Sequence, residues 1–189
     1  MEFKKIQLNG FKSFAEKTNF LIEDGLTGIV GPNGCGKSNI VESLRWVMGE
    51  TSAKSMRGSG MEDVIFSGTS NKASKNIAEV SIEVENKDKE GPIQYRELEQ
   101  IQVRRKIEKD KGSKFYINDK EVRARDAQMF FADLSTGAHS PSMISQGRIG
   151  ALVTAKPTDR RAILEEAAGI SGLHVRRHEA ELRLSLIHI

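Results

Sequence analysis

An α/β architecture follows from three features of this 189-residue chain. A phosphate-loop motif lies between an apolar run and a helical pattern. Alternating apolar residues recur through the first half. Helical periodicity takes over in the second. The expected arrangement is a mixed sheet around the phosphate-loop helix, with a mostly antiparallel β part beside it. In chain order, Phe3 to Leu8 alternates and Gly10 closes it, so it reads as a strand. Asn19 to Ile22 reads as a second, ended by Asp24-Gly25, and Leu26 to Val30 as a short buried one. Ser38 to Val47 carries Ile40, Val41, Leu44 and Val47 at helical spacing. Val64 to Phe66 is a further short strand candidate, bounded by Ser67-Gly68. Ile77 to Val84 alternates strictly, and Ile101, Val103 and Ile107 alternate within the charged stretch Ile93 to Ile107. Lys114 to Ile117 followed by Asn118-Asp119-Lys120 predicts a hairpin. Helices are predicted over Ala124 to Leu134 and Pro157 to Ala168, the latter with Pro at its first position and Gly169 just past its end.

The motif is Gly31-Pro32-Asn33-Gly34-Cys35-Gly36-Lys37-Ser38, a full match to G-x-x-x-x-G-K-[ST]. Its glycines let backbone N–H groups fold into a nest for phosphate oxygens. Lys37 supplies a positive charge for the β/γ-phosphates, and the Ser38 hydroxyl is a ligand for Mg²⁺. The helix that follows aims its N-terminus at the same anion. Fixed positions in a strand–loop–helix frame predict a bound nucleoside triphosphate. They leave the class open, because kinases, GTPases, transporters and DNA-handling ATPases all use such a loop.

Composition excludes other classes. Charged residues make up 29% and hydrophobic ones 38%, with a net charge of +3 that decides little about partners. No apolar run approaches the roughly 18 residues of a membrane helix, and Lys4, Lys5 and Gln7 break any signal-like start. The only cysteine, Cys35, lies in the loop, so no internal disulfide forms and a reducing cytosol fits. Its expected role is that of a small side chain facing away from the phosphates. A basic stretch (Arg104-Arg105-Lys106, Lys109, Lys111, Lys114, Arg123, Arg125) is interleaved with Glu97, Glu99, Glu108 and Asp110. It reads equally as a solvated strand face or a phosphate track. His139, His174, His178 and His188 show no metal-ligand grouping. Asn71-Lys72-Ala73-Ser74 lacks the aspartate of a guanine reader.

Six blocks in order narrow the class: Gly10-Phe11-Lys12-Ser13-Phe14, Gly31 to Asn39, Lys54-Ser55-Met56-Arg57-Gly58, Met61 to Phe66, Ile144 to Ile149, and Lys156 to Ile170. Together they resemble the N-terminal half-head of bacterial SMC (structural maintenance of chromosomes) proteins, from about residue 1 to residue 184. The resemblance implies an ABC-ATPase-like half-head over residues 1–170. Residues 171–189 would then start a coiled-coil helix, with Leu173, Ala180 and Ile187 seven apart and Arg176 and Arg183 on the alternate seam. Ser185 to Ile189 departs from the pattern and reads as a helix cut short or as foreign sequence.

The resemblance also assigns roles. Residues Gly31, Pro32, Asn33, Gly34, Cys35, Gly36, Lys37, Ser38 and Asn39 would bind ATP, with Lys12 and Ser13 beside them. Ser38 and the Q-loop residue Gln146 would hold Mg²⁺, and Gln146 would also meet the attacking water. Lys37 and Gln146 would serve catalysis, and Arg57 would couple DNA binding to hydrolysis. Implied partners are DNA without base readout, a C-terminal half-head, a second copy of the full chain and kleisin-type accessory subunits, in the cytoplasm at the nucleoid. A sister DNA-repair or recombination ATPase of the same superfamily is the nearest alternative; a stand-alone P-loop kinase or GTPase is a remoter one. Met129-Phe130-Phe131-Ala132-Asp133 and Ile163-Leu164-Glu165-Glu166 mimic a Walker B strand but sit in helical patterns. Leu134-Ser135-Thr136-Gly137 mimics an ABC signature but precedes Gln146. Without those elements the chain should bind ATP yet hydrolyse it poorly by itself.

Overall fold

The computed structural model describes residues 1–134 without 88 and 90, then 137, 143, 144, 150, 153–168, 177, 180–182 and 184. Six strands form one antiparallel sheet: β1 (Glu2–Asn9), β2 (Thr18–Leu21), β3 (Ile77–Glu85), β4 (Gln100–Glu108), β5 (Gly112–Ile117) and β6 (Lys120–Val122), in the order β2-β1-β3-β4-β5-β6. Period-two alternation fixes the register, because a one-residue slip would turn every apolar side chain outward. Ile6 faces Ile82 and Leu8 faces Val80 across β1 and β3. Ile82 then faces Val103, and Val103 faces Ile117. These residues are buried and form the floor of the core. The opposite sheet face is charged and internally paired, as in Lys5–Glu83 (2.8 Å) and Arg104–Glu79 (3.4 Å). The β5–β6 hairpin turns through Asn118 and Asp119, both with positive φ (46° and 62°), the backbone of a type I′ turn.

Helix α1 (Lys37–Val47) crosses the apolar face over β3 and β4 and buries Ile40, Ser43, Trp46 and Val47. Trp46 packs on Phe11 with ring centroids 5.4 Å apart. Helix α2 (Ala124–Asp133) lies against β5 and buries Ala127, Phe130 and Phe131. Asp126 accepts the Arg123 N–H at 3.2 Å, closing its first turn. Helix α3 (Pro157–Ala167) starts at the predicted proline.

Two short segments differ from expectation. Residues 26–30 make no strand ladder among the described residues, and Leu26 and Val30 are 100% and 94% exposed. An apolar β-branched run becomes a strand only when a neighbour supplies hydrogen bonds, and β1 already has β2 and β3 on its two edges. The paired sheet is therefore the antiparallel part alone. Val64 ends a 3₁₀ turn, Met61–Val64, and Ile65 makes a single bridge to Phe11. The turn wins over a strand because Asp63 gathers donors from Ser59 and Gly60.

Candidate nucleotide-binding site

The phosphate loop connects the exposed segment 26–30 to α1. Gly34 (φ 82°) and Gly36 (φ 96°) take left-handed backbone that side chains resist, which curls the loop before the helix. A Cβ on Gly36 would lie 2.5 Å from Ser13 Oγ, so glycine also permits a close approach of the two segments. No side chain caps α1 at Gly36, which leaves its first N–H groups available to an anion at the positive end of the helix dipole. The Lys37 ammonium donates to the carbonyls of Gly31 (2.5 Å) and Pro32 (2.7 Å) and lies 3.8 Å from Cys35 Sγ. It thus curls over its own loop, held by oxygens of the kind a phosphate would present. These backbone angles, the uncapped helix start and the curled lysine all fit a triphosphate.

Three segments meet beside the loop. Asn39 Nδ2 donates to Ser13 Oγ at 2.9 Å, while Asn39 Oδ1 accepts from Arg57 Nη2 at 2.9 Å. The Glu42 carboxylate, 7% exposed, pairs with Lys12 through one oxygen and with Arg57 Nε through the other. Lys12 also donates to the Met56 carbonyl. Ser38, Val41, Glu42, Arg45, Ser55, Arg57 and Ile144 line a cavity of about 350 Å³. Ser38, Lys12, Ser13, Asn39 and Arg57 are therefore neighbours around one cavity and one carboxylate.

Two supports lie just outside. Asp63 Oδ2 accepts from Ser59 N–H (2.6 Å), Ser59 Oγ–H (2.8 Å) and Gly60 N–H (2.9 Å), which shapes the turn following Arg57. The Gly60 N–H, then the Ser59 hydroxyl and N–H, hold the Asp63 carboxyl below its usual value. At the far end of α1, buried Arg105 donates from Nη1 to the carbonyls of Trp46 (2.8 Å) and Glu50 (2.7 Å). Its guanidinium lies between the rings of Trp46 (4.5 Å) and Phe115 (4.6 Å). Burial pushes its pKa down to about 10.

Sequence reasoning missed Glu42, Asp63 and Arg105. Glu42 sits in a helix whose apolar stripe drew attention away from it, and both of its cations are distant in sequence. Arg105 belongs to the basic stretch, yet strand alternation turns it inward while Arg104 and Lys106 face the other side. Much of that stretch is neutralised locally: Arg104 pairs with Glu79 and Asp119, Lys111 with Glu108, and Lys114 with Glu121. Gln146, the four histidines and most of the expected coiled-coil seam (Leu173, Arg176, Arg183, Ile187) lie outside the described residues. Among the described residues no group of three or more His, Cys, Asp or Glu could hold a metal ion. None of the described helices is long and apolar enough to cross a membrane.

The family model for the RecF/RecN/SMC N terminal domain matches residues 2–148. The chromosome partition protein Smc of Cereibacter sphaeroides is 57% identical over 185 residues, which is 98% of this chain and 16% of that protein. The Smc of Myxococcus xanthus is 46% identical over 186 residues, 97% of this chain and 15% of that protein. The chain therefore spans about one sixth of these relatives, 16% and 15% of their lengths. A solved Smc head bound to the C-winged helix domain of ScpA matches with a TM-score of 0.83 at 31% identity, over 90% of this chain and 52% of that one. A Pyrococcus furiosus Smc head with an extended coiled coil, bound to the C-terminal domain of ScpA, gives 0.82 at 30% identity, over 97% and 46%. A chain solved in work on ATP-driven dimerization and DNA-stimulated activation of SMC ATPases gives 0.75 at 31% identity, over 88% and 99%. By sequence over most of its length and by the fold of SMC ATPase heads, the chain belongs to the RecF/RecN/SMC N-terminal domain family.

Proposed function

We propose that this chain is the ATP-binding half of an SMC ATPase head that organises, condenses and segregates chromosomal DNA. The observation that carries the reading is the loop itself: Gly34 and Gly36 in left-handed backbone, Lys37 curled over the loop, and Ser38 at the mouth of the neighbouring cavity. Backbone N–H groups of Asn33 to Ser38 would hold the β/γ-phosphates, and Lys37 would exchange its carbonyl acceptors for phosphate oxygens. The Ser38 hydroxyl would hold Mg²⁺, with Gln146 as its second protein ligand and as the group that orients the attacking water. Asn39, Ser13 and Lys12 would complete the cradle, and Arg57 would report DNA to it. Bound ATP supplies the γ-phosphate whose presence glues two heads and whose hydrolysis releases them.

Residues 1–170 would form the half-head, and residues 171–189 would open the coiled-coil arm. Hydrolysis would need a C-terminal half-head and a second head, since the sequence reads neither a Walker B strand nor an ABC signature after Gln146. Homodimerisation of the full protein, a kleisin-type subunit (solved heads carry ScpA) and DNA bound without base readout complete the proposal, in the cytoplasm at the nucleoid. The test mixes this chain with a matching C-terminal half-head and measures ATP turnover with and without DNA. DNA-stimulated turnover should appear, vanish in Lys37→Ala and lose its DNA dependence in Arg57→Ala. Robust turnover by this chain alone would overturn the composite site.

A further inference from the structure

We propose that Glu42 is a positioning residue that sets Arg57 against the phosphate loop. The inference rests on the reading of the loop and Arg57 as parts of an ATP site. Helix geometry places Glu42 one turn beyond Ser38, four residues on, so hydroxyl and carboxylate line the same cavity. Asn39 lies three residues before Glu42 on that face. The two acceptors together take one edge of the Arg57 guanidinium, Asn39 Oδ1 on Nη2 and Glu42 Oε1 on Nε. A guanidinium gripped on two of its three nitrogens keeps a fixed plane, and Nη1 is left for a ligand in the cavity.

Burial explains one of the two cations on Glu42 but not the other. A carboxylate removed from water needs a countercharge, and Lys12, with a side chain only 13% exposed, supplies it. Arg57 is 58% exposed, and a pair with an exposed cation adds little to stability. Its effect is orientational: it immobilises a long side chain on a segment whose backbone is already left-handed at Arg57 (φ 54°). Lys12, at φ 46°, is held the same way from the opposite side. One carboxylate thus ties α1 to both flanking segments and fixes the more exposed cation at the rim where Ser38 stands.

The test uses this chain assembled with a C-terminal half-head, comparing wild type, Glu42→Gln, Glu42→Asp, Arg57→Ala and the double variant Glu42→Gln/Arg57→Ala. Glu42→Gln should lower DNA-stimulated kcat about tenfold, the size of one charge-assisted hydrogen bond, and change KM for ATP less. Glu42→Asp should recover part of the loss. In the Arg57→Ala background the Glu42→Gln change should add nothing to the loss of DNA stimulation, because the Arg57 contact is already gone and only the Lys12 pair is left to lose. Effects that multiply in the double variant, or full DNA stimulation in Glu42→Gln, overturn the proposal. If Glu42→Gln lowers the melting temperature too far for assay, the Glu42→Asp cycle with Arg57→Ala decides in the same way. A wild-type assembly without turnover overturns the ATP reading itself, whereas an active wild type with a silent Glu42→Gln overturns only this inference.

Discussion

Replacing Arg105 by methionine tests whether a buried cation holds the phosphate-loop helix to the sheet. Its guanidinium donates to Trp46 O, Glu50 O and Ser113 Oγ, and it is sandwiched by Trp46 and Phe115. Three charge-assisted donations at about 1.5 kcal/mol each and two ring contacts at about 0.5–1 kcal/mol each favour the arginine by roughly 6 kcal/mol. Against this stands the cost of dehydrating the cation. A pKa pushed by burial down to about 10 corresponds to roughly 3 kcal/mol. Arginine therefore wins by roughly 2–3 kcal/mol. The Trp46 carbonyl keeps a second donor, the Gly49 N–H at 3.1 Å, so the lower end applies. Arg105→Met should reduce the unfolding free energy by roughly 2 kcal/mol and the melting temperature by roughly 4–8 °C. Urea unfolding followed by the fluorescence of the single tryptophan, Trp46, reads this directly, since the probe touches the altered residue. An unchanged or raised midpoint with unchanged m-value would refute the reasoning, because dehydration would then outweigh the contacts.

Other outcomes follow from the loop and its supports. Gly36→Ala forces a Cβ to 2.5 Å from Ser13 Oγ at φ 96°, whereas Gly34→Ala at φ 82° meets nothing within 4 Å. Both should lose stability, Gly36→Ala by about 1–2 kcal/mol or more. Gly36→Ala should lose the larger share of affinity for a fluorescent ATP analogue in the assembled head, and equal affinities would argue against the Ser13 contact. Asp63 is held below its ordinary carboxyl value of 3.8, so its stabilising effect is complete above that pH and disappears as pH falls through the lower folded value. Acid titration should show Asp63→Asn less stable than wild type at neutral pH, with the two curves converging below about pH 3.8. A constant gap down to pH 2 would remove the carboxylate from the explanation.

The elements most legible in the sequence were those whose stability is local or periodic. Strict alternation marked β3 and the inner half of β4. The Asn118-Asp119 pair marked the hairpin, because these residues tolerate positive φ. The motif with its apolar spacing marked α1. What local reading could not supply was the identity of distant partners. Leu26 to Val30 has the composition of a strand, but a strand depends on a neighbour. Val64 to Phe66 has it too, but Asp63 captures the N–H groups of Ser59 and Gly60 and curls the chain first. Arg105 looked like one of a row of surface cations until sheet register placed it under Trp46. Glu42 offered no local signal at all, since Lys12 and Arg57 come from opposite sides of it in sequence.

The unpaired stem at residues 26–30 has a thermodynamic consequence. It runs directly into the phosphate cradle, so any strand that docks on its exposed backbone also narrows the conformations of Gly31 and the residues after it. Docking and phosphate binding are then linked reactions, and linkage is reciprocal. Whatever factor a docked strand adds to nucleotide affinity, the nucleotide must add to the affinity for that strand. If a strand of the proposed half-head docks on the fully exposed Leu26 and the 94% exposed Val30, nucleotide concentration would govern that assembly through the same coupling.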